Sequence, residues 1–305
     1  MFQLLVGTDI PFMRYRRIAY ICSSLFVLAT LVWLAMHGGP RYSVDFTGGQ
    51  MLQVRLSENI HADQVRAALD AGGLRGVEIQ SVAGNTPGEF MIRAKHEQNQ
   101  DLFLVVEKAI TAAQPGVKVE LRRIENVGPK VGSELRQKAI WAVLGSLGWI
   151  LLYVGWRYEF KFAVGAIVAL FHDVLVTLGV LSFAGREISL TVVAALLTIA
   201  GYSINDTIVV FDRIRERSKA LKKEKHSRVM DIAVNETLSR TIITAFTVFL
   251  TALALFIWGG EVLHDFSFAM LIGLIFGTYS SVYVASGLAL DLWIWLDRRK
   301  GVKAE

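Results

Sequence analysis

The sequence predicts a polytopic α-helical membrane protein with six spans and one small external α+β domain. Of its 305 residues, 53% are hydrophobic and 19% are charged, and a water-soluble protein of this size rarely carries so large an apolar fraction. Six apolar stretches are long enough to cross about 30 Å of hydrocarbon at about 1.5 Å per residue. Residues 38–137, between the first two stretches, instead have the patterning of a soluble domain.

Two of the predicted spans need separate justification. The first follows three arginines like a signal peptide, but it is longer, has a poor cleavage pattern and precedes five further spans, so we expect a retained helix. The last is longer than a crossing requires and ends in Trp293 and Trp295, so its final turns are expected at the membrane interface. The predicted spans are residues 18–36, 139–156, 162–183, 188–211, 241–258 and 266–295.

Basic residues alternate between the ends of successive spans. Cytoplasmic segments carry the excess of lysine and arginine, so residues 1–17 and 296–305 are predicted to be cytoplasmic and residues 38–137 to be outside. The outer side has Arg136, Lys138 and Arg186 near the spans. The cytoplasmic side has Arg14, Arg16, Arg17, Arg157, Lys161, the basic residues of 213–228, Arg298, Arg299 and Lys300.

The net charge of +5 comes from these clusters at the span ends. A protein that binds nucleic acid instead concentrates basic residues on an exposed face or along a helix, so no nucleic-acid partner is expected. The single cysteine, Cys22, lies in the first span. Without a second cysteine, a disulfide framework is excluded.

Residues 38–137 alternate between strand-like and helix-like patterns. Their order is strand, helix, strand, strand, helix, strand, which is typical of a ferredoxin-like α+β unit. A turn-rich stretch at residues 84–88 separates the two central strands. The predicted strands are residues 50–56, 76–82, 90–94 and 117–124, and the predicted helices are residues 61–71 and 102–113.

Residues 212–240 form a highly charged segment that is interrupted by apolar residues such as Ile214, Val229 and Ile232. This pattern favours an amphipathic hairpin or surface helix that lies on anionic lipid headgroups. A docking surface for a cytoplasmic partner is the alternative interpretation.

An ionisable residue, Asp206, lies within the fourth span. A charge at the bilayer centre costs roughly 3 kcal/mol or more, so such a group normally faces a protein interior or a water-filled path and marks a proton or ion relay. Thr198 and Tyr202 share its helical face, and Asn205 and Thr207 flank it. A structural bond between helices is the alternative, but polar contacts in membranes are weak. Protons are therefore the expected coupling ion, with no other cofactor.

The start of the fifth span offers a cation, Arg240, on the same helical face as Thr244, Thr247 and Thr251. If the fourth and fifth spans are antiparallel neighbours, this face meets that of Asp206 in the inner half of the membrane. A nearby arginine favours the charged carboxylate and desolvation disfavours it, so a small movement would load or release a proton. The alternative is a boundary arginine whose side chain extends to the cytoplasm.

The third span contains a second polar pair, His172 and Asp173, near its middle. Neighbours on a helix point about 100° apart, so we expect that the two side chains do not face the same groove. One would complete the relay and the other would bond a neighbouring helix. With Asn205 and Thr207 they are the secondary relay candidates. No metal site is predicted, because further ligands at suitable spacing are missing.

Small residues recur every four positions in the sixth span, at Gly273, Gly277 and Ser281. Such a ridge permits close helix approach, so we assign these residues to helix packing.

A short motif after the first span contains Asp45, Phe46, Gly48 and Gly49. The favoured interpretation is a turn that leads into the first strand. The alternative is that Asp45 and Phe46 orient the external domain or contact a partner subunit.

Three segments together resemble one known family. Residues 201–216, GYSINDTIVVFDRIRE, closely resemble the fourth-span signature of the SecF family of the bacterial SecDF accessory translocases. Residues 44–49, VDFTGG, resemble its external motif, and residues 235–241, NETLSRT, resemble the start of its fifth span. Six spans with one large external loop also match its layout, so the resemblance covers nearly the whole chain.

The resemblance implies a half-transporter of the RND superfamily in the bacterial inner membrane, with a ferredoxin-like periplasmic domain. Such a subunit pairs with a SecD-type subunit to give a twelve-span unit that uses the proton-motive force to promote secretion through the Sec channel. Further implied partners are YajC, YidC and the unfolded secretory polypeptide. By this resemblance Asp206 is the protonatable acid and Arg240 is its neighbouring cation.

Three other functions are compatible with some of the residues. A proton-driven exporter of small molecules or lipids usually has larger external domains than residues 38–137. A non-conducting scaffold of the translocon would use Asp206 and Arg240 as a structural pair. An intramembrane protease would need a Gly-x-Gly-Asp or His-Glu-x-x-His signature, which the sequence lacks. We therefore expect a transport subunit and not an enzyme.

Overall fold

A computed structural model describes residues 7–58, 60–74, 77–82, 88–94 and 101–299. Within these ranges the chain forms two compact units. We call residues Tyr42–Trp141 the α+β unit, and the described residues before and after it the helical unit. Most of the predicted turn at residues 84–88 lies outside the described residues. The same holds for residue 76, at the start of the predicted second strand, and for both ends of the chain.

The elements follow one another in a simple order, with a sixth crossing that is built from three consecutive helical segments. They are α1 (Phe12–Met36), α2 (Val44–Thr47), β1 (Gly49–Leu56), α3 (Ala62–Ala71), β2 (Glu78–Ser81), β3 (Glu89–Ala94), α4 (Leu102–Ala113), β4 (Val119–Val127), α5 (Pro129–Arg157), α6 (Phe160–Phe183), α7 (Leu190–Ala220), α8 (His226–Trp258), α9 (Gly260–Tyr279), a π-helical segment (Ser280–Ala285) and α10 (Ser286–Arg299).

Six helical stretches in the described part of the chain are long and apolar enough to cross a membrane. The predicted class of a multi-pass helical membrane protein is therefore confirmed. Most of these helices extend beyond the predicted apolar stretches, because polar and charged residues at their ends continue the helix.

The unit of residues Tyr42–Trp141 contains a four-stranded antiparallel sheet with the strand order β2-β3-β1-β4. With α3 and α4, this is the predicted ferredoxin-like arrangement. Alternation along β1 and helical spacing along α3 and α4 direct their apolar side chains to one side of the sheet. The resulting core includes Leu52, Val54, Val65, Leu69, Ile92, Val106 and Ile110.

In the other unit, α6 and the sixth crossing are the inner elements. Most of the apolar stretch of each is buried, whereas little of the apolar stretch of α1, α5 and α8 is buried. Close approach at the centre depends on glycine, because a Cβ at Gly165 of α6 would lie 2.5 Å from the carbonyl oxygen of Ala285. That oxygen belongs to the backbone and cannot rotate away, so a side chain here forces the helices apart.

The charged segment at residues 212–240 is the continuation of α7 and α8, joined by a turn at residues 221–225. Its apolar residues Ile214, Met230 and Ala233 are buried in the core of the bundle. They are therefore not available to lie on lipid headgroups, in contrast to the prediction of an amphipathic surface segment. The two helices are also joined by ion pairs of Glu236 with Arg213 and Arg217.

The first turn of α1 is capped by a residue that is distant in sequence. Pro11, at the N-cap position, provides no side-chain hydrogen bond. Instead, the carboxylate of Asp231 on α8 accepts a hydrogen bond of 2.8 Å from the backbone N–H of Met13. A carboxylate at this position satisfies a free N–H and complements the helix dipole.

The segment before α1 is held by the same part of α8. The Asn235 side chain accepts a hydrogen bond of 3.0 Å from the Ile10 N–H and donates one of 2.9 Å to the Ile10 carbonyl. Arg228 binds Asp9 through two nitrogens, and its hydrogen bond lowers the pKa of the Asp9 carboxyl. Residues 9–13 thus follow the position of α8.

We expect Gly165→Ala to destabilise the helical unit by about 1–3 kcal/mol, the usual range for overpacking of a dense core. Gly148→Ala on α5 is the matched control, because a Cβ there has no neighbour within 4 Å and alanine raises helix propensity by up to about 1 kcal/mol. Unfolding of the purified chain in mixed micelles, with an increasing fraction of denaturing detergent, measures both. Equal stability of the two variants would contradict the close contact.

Candidate functional site

Asp206 lies in the middle of α7, and its side chain is enclosed by the neighbouring helices, with 7% of the residue exposed. The Thr241 hydroxyl of α8 donates a hydrogen bond of 2.6 Å to Oδ1 of Asp206. The other oxygen, Oδ2, is buried and makes no hydrogen bond within the part of the chain that the structure describes. The carboxyl group therefore has one satisfied oxygen and one oxygen available to a proton.

Arg240 precedes Thr241 on α8, and its side chain is exposed. It is near enough to act on the Asp206 carboxylate electrostatically, but among the described residues the two form no ion pair. Neighbours on a helix point about 100° apart, so the face that presents Thr241 to Asp206 turns Arg240 away. The predicted direct contact between the two side chains is not formed in this arrangement.

A second buried carboxylate, Asp173 on α6, has no exposed surface. Its Oδ2 accepts hydrogen bonds from Ser203 of α7 at 2.5 Å and from Ser280 of the π-helical segment at 2.7 Å. Its Oδ1 lies 2.9 Å from Nδ1 of His172. Asp173 thus joins three elements of the bundle.

The structure corrects the expectation that His172 and Asp173 serve separate grooves. Both side chains are buried, and they are hydrogen-bonded to each other. Their Cα–Cβ bonds diverge by about 100°, but the imidazole is long enough to turn back to the carboxylate. The other ring nitrogen, Nε2, is buried without a hydrogen-bond partner among the described residues, and the Tyr279 ring centre is 6.2 Å from that of the imidazole.

Two neighbouring serines at the start of the π-helical segment connect to different acids. Ser280 reaches the α6 carboxylate, whereas Ser281 is hydrogen-bonded to Thr207 of α7 at 2.9 Å and lies near Asp206. Ser281, which the sequence assigns to helix packing, therefore also belongs to the hydrogen-bonded network, together with Thr207.

The two glycines of the small-residue ridge lie against α7. A Cβ at Gly273 would be 2.3 Å from Cδ1 of Ile199, and a Cβ at Gly277 would be 3.4 Å from Cβ of Ser203. The same Cβ at Gly277 would be 3.7 Å from Oδ2 of Asp173. These positions give α9 its close approach to α7 and leave space for the buried acid.

Some predicted relay residues lie on the outside of the unit. Thr198 and Asn205 are exposed on α7, and Tyr202, between them, lies beside Thr244 of α8. The exposed polar residues of α7 are therefore adjacent to those of α8. We use the term polar face for Thr198, Asn205, Arg240, Thr244, Thr247 and Thr251.

The motif at residues 45–49 forms a capped helical turn before β1. The Ser43 hydroxyl accepts a hydrogen bond of 3.3 Å from the Asp45 N–H, and Phe46 is buried. Gly48 and Gly49 have φ angles of 71° and 132°, which residues with a side chain rarely adopt. The turn interpretation accounts for these features.

Three hydroxyl residues that contact the acids were not predicted as site residues from the sequence, namely Thr241, Ser203 and Ser280. Each lies within one helical turn of a residue that the sequence had selected, which is the signal available without a structure. The packing of α6, α7 and the π-helical segment determines which hydroxyl meets which acid. In the described ranges, no group of three His, Cys, Asp or Glu residues is placed to hold a metal ion, and Cys22 is exposed.

The chain is similar to proteins of bacterial protein export. The family model for "Protein export membrane protein SecD/SecF, C-terminal" matches residues 105–295. The protein translocase subunit SecF of Vibrio alginolyticus is 43% identical over 297 residues, which cover 96% of this chain and 93% of that protein. The protein translocase subunit SecF of Calditerrivibrio nitroreducens is 43% identical over 286 residues, which cover 92% and 93%.

Solved structures of SecDF have the same fold. The crystal structure of SecDF, a translocon-associated membrane protein from Thermus thermophilus, matches with a TM-score of 0.86 at 38% identity over 95% of this chain. SecDF in a super-membrane-facing form matches with a TM-score of 0.71 at 38% identity over 98% of this chain. The chain spans 39% and 40% of the length of these two SecDF chains.

We expect Thr241→Val to destabilise the helical unit by about 1–3 kcal/mol, because this nearly isosteric change removes the hydrogen-bond donor of a buried carboxylate. Thr251→Val is the control, since its exposed hydroxyl bonds a carbonyl of its own helix and should change stability by less than about 0.5 kcal/mol. Unfolding in mixed micelles measures both variants. An equal loss in the two would show that Asp206 does not depend on Thr241.

Proposed function

Because the chain belongs to the SecD/SecF family of protein export membrane proteins, as a SecF-type translocase subunit, we propose that it uses the proton-motive force to promote protein translocation through the Sec channel. The chain is one half of a SecDF complex in the bacterial inner membrane, with both termini in the cytoplasm and residues 38–137 in the periplasm. It acts as a transport subunit for which protons are the coupling ion.

The observation that carries this proposal is the carboxyl group of Asp206. An ionised aspartate at the centre of a membrane helix costs roughly 3 kcal/mol on insertion scales, and one hydrogen bond from Thr241 offsets part of this cost. A proton on Oδ2, which has no hydrogen-bond partner in the described residues, removes the charge. One proton that crosses a potential of 100 mV releases about 2.3 kcal/mol, which is comparable to the cost of the charged state.

Protonation drives a movement if it favours one helix arrangement over another. In the charged state, Asp206 attracts both the Thr241 hydroxyl and the Arg240 guanidinium. In the neutral state the attraction to Arg240 is lost, and α8 and the sixth crossing become free to shift relative to α7. The α+β unit, on the periplasmic side, would convert this shift into a pull on the emerging polypeptide.

The polar face supports a SecD-type partner. Its residues, such as Asn205 and Arg240, are exposed although α7 and α8 are helices that can cross a membrane. Lipid cannot satisfy polar groups, whereas a partner helix with acidic and hydrogen-bonding side chains can. The partner completes a twelve-span unit of the RND type. Further proposed partners are the Sec channel, YajC, YidC, the unfolded polypeptide and anionic lipid at the basic helix ends.

We expect Asp206→Asn to reduce polypeptide-stimulated proton flux about tenfold or more, because an amide takes up no proton and a barrier increase of about 1.4 kcal/mol already gives this factor. Arg240→Met should reduce it in the same direction. The measurement uses proteoliposomes with an internal pH-sensitive dye that hold this chain, a SecD-type subunit and an unfolded secretory polypeptide.

Ser146→Ala is the matched control for flux, since this hydroxyl on α5 bonds a carbonyl of its own helix at 2.9 Å. Wild-type flux in Asp206→Asn would place the proton path elsewhere. Absence of flux in every protein, with assembly of the complex intact, would favour a translocon scaffold.

We expect the SecD-type subunit to cover the polar face. In a Cys22→Ala background, Asn205→Cys should react with a membrane-permeant maleimide in the isolated chain and react several-fold more slowly in the complex. Leu144→Cys, at an exposed position on α5, should react equally in both. Equal labelling of Asn205→Cys with and without the partner would contradict this assignment.

A further inference from the structure

Two buried acids lie in the same helical unit, and the hydroxyl groups of one π-helical turn lie between them. We propose that Asp173 and Asp206 form a coupled pair that holds one proton in total, with Ser280 and Ser281 transmitting the protonation state of one acid to the other. This inference rests on the proposed proton-driven function and adds a second protonation site to it.

The two serine hydroxyls share one acceptor. Ser280 Oγ lies 2.7 Å from Oδ2 of Asp173 and 3.0 Å from the carbonyl oxygen of Gly277. Ser281 Oγ lies 3.0 Å from the same carbonyl and 2.9 Å from Oγ1 of Thr207. A hydroxyl has a single hydrogen, and a carbonyl oxygen has two lone pairs. The Gly277 carbonyl already accepts the backbone N–H of Ser280, so the two serine hydroxyls compete for its second lone pair.

The charge on Asp173 decides how these hydrogens are arranged. A charged Asp173 accepts the hydrogen of Ser280, so the Gly277 carbonyl is free to accept that of Ser281. Asp206 then receives no hydrogen from Ser281, which favours its protonated, neutral form. The two negative charges also disfavour each other in a medium of low dielectric constant.

Protonation of Asp173 reverses this arrangement. The neutral acid donates its own proton to Oγ of Ser280, 2.7 Å away, so the hydrogen of Ser280 turns to the Gly277 carbonyl. Ser281 lies beside Asp206, so it then directs its hydrogen to that carboxylate and stabilises the charged form. Each acid is therefore favoured as charged when the other is neutral, and the pair titrates as a unit.

Two further observations agree with a site that changes its hydrogen bonding. At one end of the network Nε2 of His172 is buried without a partner in the described ranges, and at the other end the same holds for Oδ2 of Asp206. The network also crosses a π-helical turn, an element that is frequent at functional sites. In a purely structural network, the buried nitrogen and oxygen atoms would be expected to have hydrogen-bond partners.

Few other ionisable groups act on the two acids within the described residues. On α6 the group facing Asp173 is His172, and α7 and the π-helical segment contribute Ser203 and Ser280. Tyr279 of α9 lies beside the His172 ring.

The remaining groups act on Asp206 or on each other. Arg240 of α8 acts on Asp206, which in turn acts on Tyr202 of its own helix. On α1 and α10, Arg16 and Asp291 pair with each other. Coupling between the two acids therefore has the serines as its direct route.

Infrared difference spectroscopy tests the coupling in the purified chain reconstituted in lipid. The carboxyl band lost in Asp173→Asn is first assigned and then titrated with pH. We expect Asp206→Asn to move the midpoint of this band toward lower pH by about one unit, a tenfold change in the protonation equilibrium. In Ser280→Ala/Ser281→Ala, Asp206→Asn should no longer move the midpoint.

Ser267→Ala is the matched control, because this buried serine of α9 donates to carbonyls of its own helix. It should retain the full shift. If the double alanine variant does not fold, Ser280→Cys replaces it, since a thiol is a weak donor.

Three results would overturn the inference. The first is that no carboxyl band depends on Asp173, and the second is that Asp206→Asn leaves the pH midpoint of this band unchanged. The third is that Asp206→Asn still moves the midpoint in Ser280→Ala/Ser281→Ala. Failure of the proposed function is distinct, because it appears as absent proton flux in wild-type proteoliposomes while the infrared coupling is unchanged.

Discussion

A polar group that enters the hydrocarbon region has to find its partner within protein, because lipid offers none. The two buried acids of the bundle, Asp173 and Asp206, differ in how many hydrogen-bond partners the protein provides. Asp173 has contacts to His172, Ser203 and Ser280, whereas Asp206 accepts a hydrogen bond from Thr241 on only one of its two oxygens in the part of the chain that the structure describes. Asp173 is thus held by contacts within α6 and from two neighbouring elements, whereas one oxygen of Asp206 is buried without a hydrogen-bond partner among the described residues. The small residues Gly273 and Gly277 let α9 approach α7 closely enough for these contacts.

The fold was largely predictable from sequence because its signals are local. The length of each apolar stretch identifies a span, and the alternation of apolar and polar residues identifies each strand of the α+β unit. The network around the acids was less predictable, because it depends on which helices become neighbours. Asp206, His172 and Asp173 were selected from their chemistry alone. The hydroxyl partners of the two acids were missed. For Asp206, a rotation of about 100° along α8 presents Thr241 in place of Arg240.

The polar face places polar and charged side chains on the outside of the helical unit. Its threonines bond carbonyls of their own helix, as Thr247 and Thr251 do, so those hydroxyls tolerate lipid. The guanidinium of Arg240 is exposed and makes no ion pair with Asp206 among the described residues. From the sequence, this arginine was predicted to neighbour Asp206 in a relay or, alternatively, to be a boundary arginine, and the structure places it on the exposed surface of the helical unit.

Hydrogen bonds join α8 to the start of α1 and the segment before it. They link Ile10 to Asn235 and Met13 to Asp231, which are 225 and 218 positions apart in sequence. The ribosome delivers α1 to the membrane well before either partner residue is synthesised. Until then the first turn of α1 has free N–H groups. Final placement of the first helix is thus a late step of biogenesis, and a chain truncated before α8 retains a first span that is inserted but not fixed.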